Sequence, residues 1–246
     1  MPRENPWLVF LLPLVVFMLV GSLEPTPDAP GGKSIGLAIP YNWYPMIYTV
    51  KVALTLAAIA FVLPGYRQFP FRITLLAIVV GVAGIFIWVG LCRLDVEHRY
   101  LQPALERLRL GWIIGAGQRA AFNPFEKLAD QPLRAWIFLA TRFFGLVLIV
   151  PVIEEFFLRG FVMRFVVERD WWEVPFGKVN RLALVLGTLV PVLMHPAELL
   201  AAAAWFSLVT WLMLRTRNIW DCVAAHAVTN FLLGIYVVSS GNWRLM

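Results

Sequence analysis

Cysteine is nearly absent from this chain. Cys92 and Cys222 are the only two, each at the edge of an apolar segment and without CxxC spacing, so neither a disulfide framework nor a thiolate metal centre is encoded. Charge is scarce too: 15% of the residues are Asp, Glu, Lys or Arg, against about 25% in soluble domains. No Ser/Gly linker, low-complexity tract or internal repeat divides the chain, which argues for one domain and against a repeat-built transporter. Familiar catalytic signatures are also missing. HExxH does not occur, which removes the zincin type of metalloprotease. None of the serines (Ser22, Ser34, Ser207, Ser239, Ser240) stands in a GxSG-like nucleophile setting. Every aspartate lies in a loop or at a segment edge, which disfavours an aspartyl dyad.

What is present is apolar. Of 246 residues 60% are hydrophobic, against roughly 45–50% in soluble domains, and the mean hydropathy is +0.74. These values predict an all-α fold: a polytopic transmembrane helical bundle in a single integral membrane domain, 1–246. Residues 1–133 hold the N-terminal spans and a connecting region, and 134–240 a helical core. The formal charge of +6 is read as basic loop ends facing anionic lipid and cytoplasm, not as a nucleic-acid surface.

A helix needs about 20 apolar residues to cross the hydrocarbon. Trp7–Leu23 is longer than a signal-peptide core and lacks a clear A-x-A site, so it is read as the first span. Pro45–Leu63 and Phe71–Leu91 follow. Arg93–Leu133 is the least hydrophobic region. Its middle, Pro103–Ala116, reads either as a helix lying in the interface, with Trp112-Ile113-Ile114 on the apolar side, or as a solvated connection. Arg134–Val167 is longer than one span needs, and Pro151 is expected to kink or split it. Leu182–Leu214 breaks at Pro196; its first piece, Leu182–Met194, rises only about 20 Å at 1.5 Å per residue, which leaves His195 within or near one face of the membrane. Ile219–Val238 closes the chain. The count is seven spans, or eight if the middle region supplies one. With the N-terminus inside, the Arg67/Arg72, Arg164–Arg181 and Arg215/Arg217 loops are cytoplasmic, as the positive-inside rule expects; the basic 93–133 connection then lies outside, against it.

Against this background the polar residues within apolar runs stand out, because ionised groups at bilayer depth are costly and tend to be functional. In LIVPVIEEFFLRGFVMRF, Glu154 and Glu155 precede Arg159. Glu155 and Arg159 are spaced i,i+4 and can pair; Glu154 is turned by about 100° and takes a different direction. Of three histidines, His98 sits in the charged connection, whereas His195 and His226 lie in apolar segments. His226 and Asn230, in AAHAVTNFLLG, are again i,i+4. Singly, each has a structural explanation: a packing ion pair for Glu155–Arg159, helix–helix hydrogen bonding for an intramembrane His or Asn, a membrane face for Glu198. Together they form an acid/base set with hydrogen-bond donors, suited to activating water by general base catalysis and to stabilising an oxyanion.

The order EExxxR (Glu154, Glu155, Arg159), a histidine in a later span (His195), then HxxxN (His226, Asn230) resembles the CAAX-protease and bacteriocin-processing (Abi) family of intramembrane proteases. Its eukaryotic members remove the last three residues of prenylated CaaX proteins. The likeness covers roughly residues 134–235, and VPVIEEFFLRGF also resembles, more loosely, CAAX-protease-related proteins of bacterial exosortase systems. One position departs: the family pattern FxxxH has Pro191 in place of its phenylalanine, which bears on helix geometry more than on chemistry. The resemblance implies that Glu154 and His195 activate water, that His226 and Asn230 form the oxyanion hole, and that Glu155 and Arg159 orient the glutamate. It further implies an intramembrane endopeptidase of the bacterial cytoplasmic (inner) membrane, with a membrane-anchored protein or peptide as substrate and the lipid bilayer as surroundings. No cofactor is expected, although Glu154, His195 and His226 are a donor set that Zn²⁺ also accepts. The rivals are a proton-coupled transporter or channel, and a non-catalytic immunity or scaffold protein.

Overall fold

The computed structural model describes residues 4–26, 33–34, 37–109 and 121–245. Among these the regular structure is helical, apart from a two-residue antiparallel ladder of Lys33–Ser34 with Leu37–Ala38. Seven apolar helices carry the fold: α1 Pro6–Gly21, α2 Tyr44–Tyr66, α3 Leu75–Leu94, α4 Pro132–Phe165, α5 Arg181–Met194, α6 Leu199–Thr216 and α7 Ile219–Ser240. Five of them, α2, α3, α4, α6 and α7, are long and apolar enough to cross a membrane. α1 and α5, with 16 and 14 residues, fall short of the ~20 that a full crossing takes. In the middle region a turn of π-helix, Glu97–Leu101, leads into the short helix Gln102–Arg107. The rest of the segment expected to lie in the interface, Trp112-Ile113-Ile114 included, lies outside the described residues.

Local sequence sets the ends of these helices. Asn5 accepts a hydrogen bond from Trp7 N (3.0 Å) with Pro6 at the first position of α1. Asn180 accepts from Ala183 N (2.8 Å) at the start of α5, and Asn218 from Trp220 N (3.1 Å) at the start of α7. Each satisfies one of the N–H groups that a helix start leaves without an internal partner. Asp95 and Arg217, in the left-handed region at φ 52° and 48°, end α3 and α6.

Pro151 does not split α4. The helix is continuous over 34 residues, widening to π-geometry at Gly145–Ile149, just before the proline, and again at Phe156–Val162. A wider turn absorbs the missing proline N–H without ending the helix. At His195-Pro196 the expected break does occur. A residue preceding proline is driven out of the α region, and His195 has φ −123° and ψ 60°.

The chain divides into two compact units. The first comprises Met1–Pro70, Ala120–Glu154 and Gly234–Met246. In it α1 packs on α2 so closely that a Cβ on Gly65 would stand 2.2 Å from a Val9 methyl. Tyr44, Tyr48, Phe122 and Phe138 pack ring against ring, and Arg142 lies over Tyr44 and Phe138. Lys51, buried in α2, is neutralised by Glu24 at 2.5 Å and lies over the Phe17 and Tyr48 rings. The second unit comprises Phe71–Arg119 and Glu155–Leu233. Its core joins Val80 and Trp88 of α3, Met163 of α4, Ala183 of α5, Trp205, Phe206 and Val209 of α6, and Ala225 of α7.

Candidate active site

Glu155 opens the second stretch of the second unit and is fully buried. One carboxylate oxygen takes the guanidinium of Arg159, one turn along the same helix; the other accepts from His226 Nδ1 at 3.0 Å. The second Nη of Arg159 donates to the Phe206 carbonyl (3.2 Å) and to Thr210 Oγ1 (3.5 Å), both on α6. A buried carboxylate with a single partner is expensive; here a cation and an imidazole share it, and α4, α6 and α7 are thereby tied together. The i,i+4 pairing of Glu155 and Arg159 follows from their spacing. The bond to His226 spans 71 residues of sequence.

His195 is the last residue before the Pro196 turn. Its backbone N–H turns to Val192 O (3.0 Å), so the Pro191 carbonyl loses the donor that a continuing helix would give it. The imidazole takes that role: Nδ1 lies 2.8 Å from Pro191 O. A carbonyl oxygen only accepts, so Nδ1 carries the proton, and in the neutral ring Nε2 presents its lone pair. This is the form a general base or a metal ligand requires. The position that departs from the FxxxH pattern, Pro191, is thus the one whose carbonyl fixes the tautomer of His195.

Phe206 joins these groups. Its ring centroid is 5.5 Å from that of His195 and 6.0 Å from that of His226, and the Arg159 guanidinium lies 6.0 Å above it. Trp88 of α3 packs edge-on to His195 (5.7 Å) and Trp205 of α6 edge-on to His226 (6.2 Å). None of these aromatic residues carried a signal in sequence; Phe206 stands in AAAAWFSL, where it reads as core. α7 is held in place by Thr229, which donates to Gly81 O of α3 at 2.8 Å, and by its first turn. There Asp221 accepts from Thr74 N (2.8 Å), and Asn218 donates to Arg72 O (2.8 Å).

Of the residues singled out in sequence, Glu155, Arg159 and His226 are in direct contact, and His195 joins them through Phe206. Asn230 lies one turn beyond His226 on α7 and is half-buried, like Glu154, the residue before Glu155 in α4. His226 has Nδ1 committed to Glu155. Among the described residues no three or more His, Cys, Asp and Glu side chains are grouped to hold a metal ion.

A bundle of apolar helices with a buried, charge-compensated cluster of Glu, Arg and His defines a multi-pass membrane protein with an internal polar site. Residues 135–232 match the family model described as type II CAAX prenyl endopeptidase Rce1-like. That segment contains every residue of the candidate site. No curated protein and no solved structure matches the chain.

Proposed function

We propose that the protein is an intramembrane endopeptidase that hydrolyses a peptide bond near the terminus of a membrane-anchored protein. The observation that carries this reading is the buried cluster in which Glu155 bonds both Arg159 and His226, within the segment that matches a protease family. In this mechanism the Glu154 carboxylate takes a proton from water, assisted by Nε2 of His195. The hydroxide attacks the carbonyl carbon; His226 and Asn230 donate to the oxyanion; the C–N bond then breaks and the proton passes to the leaving amine. Glu155 and Arg159 fix the α4 backbone that presents Glu154. A lipidated substrate is proposed, in keeping with the prenyl endopeptidase of the family's description. The bacterial cytoplasmic membrane is proposed as the location.

The test is mass spectrometry of a farnesylated peptide ending in a CaaX sequence, incubated with the purified protein in proteoliposomes. Release of a C-terminal tripeptide is expected. Proton flux across the same vesicles without any cleavage would overturn the proposal in favour of a transporter. The mechanism is proposed as metal-free, so turnover should survive dialysis against a chelator. Loss restored by added Zn²⁺ would replace it with metal-assisted hydrolysis.

A further inference from the structure

We propose that Glu97 is a positioning residue for His195, acting through the N-terminus of α6. Glu97 is 5% exposed, a buried carboxylate like Glu155, Glu198 and Asp221, and it belongs to none of the motifs above. Its Oε1 accepts from Leu200 N at 2.9 Å, across 103 residues of sequence. Leu200 is the second residue of α6, and its N–H is one of those that a helix start leaves without an internal partner. The residue at the N-cap position, Glu198, makes no side-chain cap bond to the helix. α6 therefore takes its cap from the chain just beyond α3, where Asp95, in the left-handed region, turns the backbone and brings Glu97 to it. A carboxylate at this end also meets the positive pole of the helix dipole.

The consequence falls on His195. The turn 195–198 joins α5 to α6, and two of the contacts at it come from the region of α3. Trp88 of α3 packs on the imidazole at 5.7 Å, and Glu97 holds the first turn of the helix that follows. Both come from α3 and its extension. That helix, α6, also carries Phe206, against which the His195 ring is placed. Removing the cap frees the turn at its α6 end, while the Nδ1 bond to Pro191 O remains. The importance of His195 to catalysis rests on the proposed function; its positioning by Glu97 does not.

The test therefore reads His195 directly: carbethoxylation of the histidines by diethyl pyrocarbonate, followed by mass spectrometry on the full-length protein in detergent micelles. In Glu97→Ala the rate at His195 is expected to rise roughly fivefold or more, the factor by which losing one helix cap shifts a local opening equilibrium. The rate at His226, buried and bonded to Glu155, should stay unchanged. Glu97→Gln keeps an oxygen that accepts from Leu200 N–H and should stay near wild type at both histidines. If Glu97→Ala does not fold, Glu97→Asp, whose carboxylate is one methylene short, should raise His195 alone by a smaller factor. An unchanged His195 rate in the folded Ala or Asp variant overturns the proposal, as does an equal rise at both histidines. If the wild type cleaves no peptide, the proposed function fails while the labelling still decides the role of Glu97. If it does cleave, Glu97→Ala should lower kcat with little change in KM.

Discussion

Arg159 is buried, and its two Nη groups are aimed at Glu155, Phe206 O and Thr210. Truncating one member of such a buried pair leaves the other charge uncompensated, at a cost of about 3–5 kcal/mol. Arg159→Ala is expected to lose that much in an SDS-unfolding titration of the micellar protein; a midpoint equal to wild type would show that Glu155 is not held as described. The sequence carried half of this cluster. An i,i+4 spacing on a helix places two side chains on one face whatever the fold, so Glu155 with Arg159 was legible. The bond from Glu155 to His226, and the cap from Glu97 to Leu200, depend on which helices become neighbours, and spacing holds no information about that. Phe206 was illegible for another reason: in an apolar run every large side chain looks like core.

At the scale of elements, the two prolines act differently. Pro196 broke the helix because it restricts the residue before it, a constraint that acts on His195 whatever surrounds it. Pro151 did not, because the preceding turn widened to π-geometry and kept the helix continuous. Close approach of α3 to its neighbours also follows from element-level sterics. A Cβ at Gly84 would stand 2.3 Å from Trp205 Cζ3 and 2.5 Å from Thr229 Oγ1, whereas one at Gly90 would meet nothing within 4 Å. Gly84→Val should therefore cost about 1–3 kcal/mol through overpacking, and Gly90→Ala should be neutral or stabilising by up to about 1 kcal/mol through helix propensity. The same unfolding titration reads both; equal effects at the two positions would contradict the packing of α3 against α6 and α7.

For the whole molecule, composition gave the class directly, since a chain this apolar and this poor in charge has few ways to fold outside a membrane. The seven apolar segments read from sequence correspond to the seven apolar helices among the described residues, of which five have the length of a span. The two short ones matter differently: α5 ends early because His195-Pro196 ends it, which is what leaves a histidine inside an apolar region. The two compact units each draw on separated parts of the chain, a pattern that no reading along the sequence reveals. The proposed mechanism assigns the general base to Glu154. Single-turnover cleavage of the farnesylated peptide in proteoliposomes, compared between wild type and Glu154→Gln, tests that assignment most directly. The variant is expected to remain folded and to lose at least about 10²-fold in rate, the contribution of a general base; cleavage at the wild-type rate would contradict it.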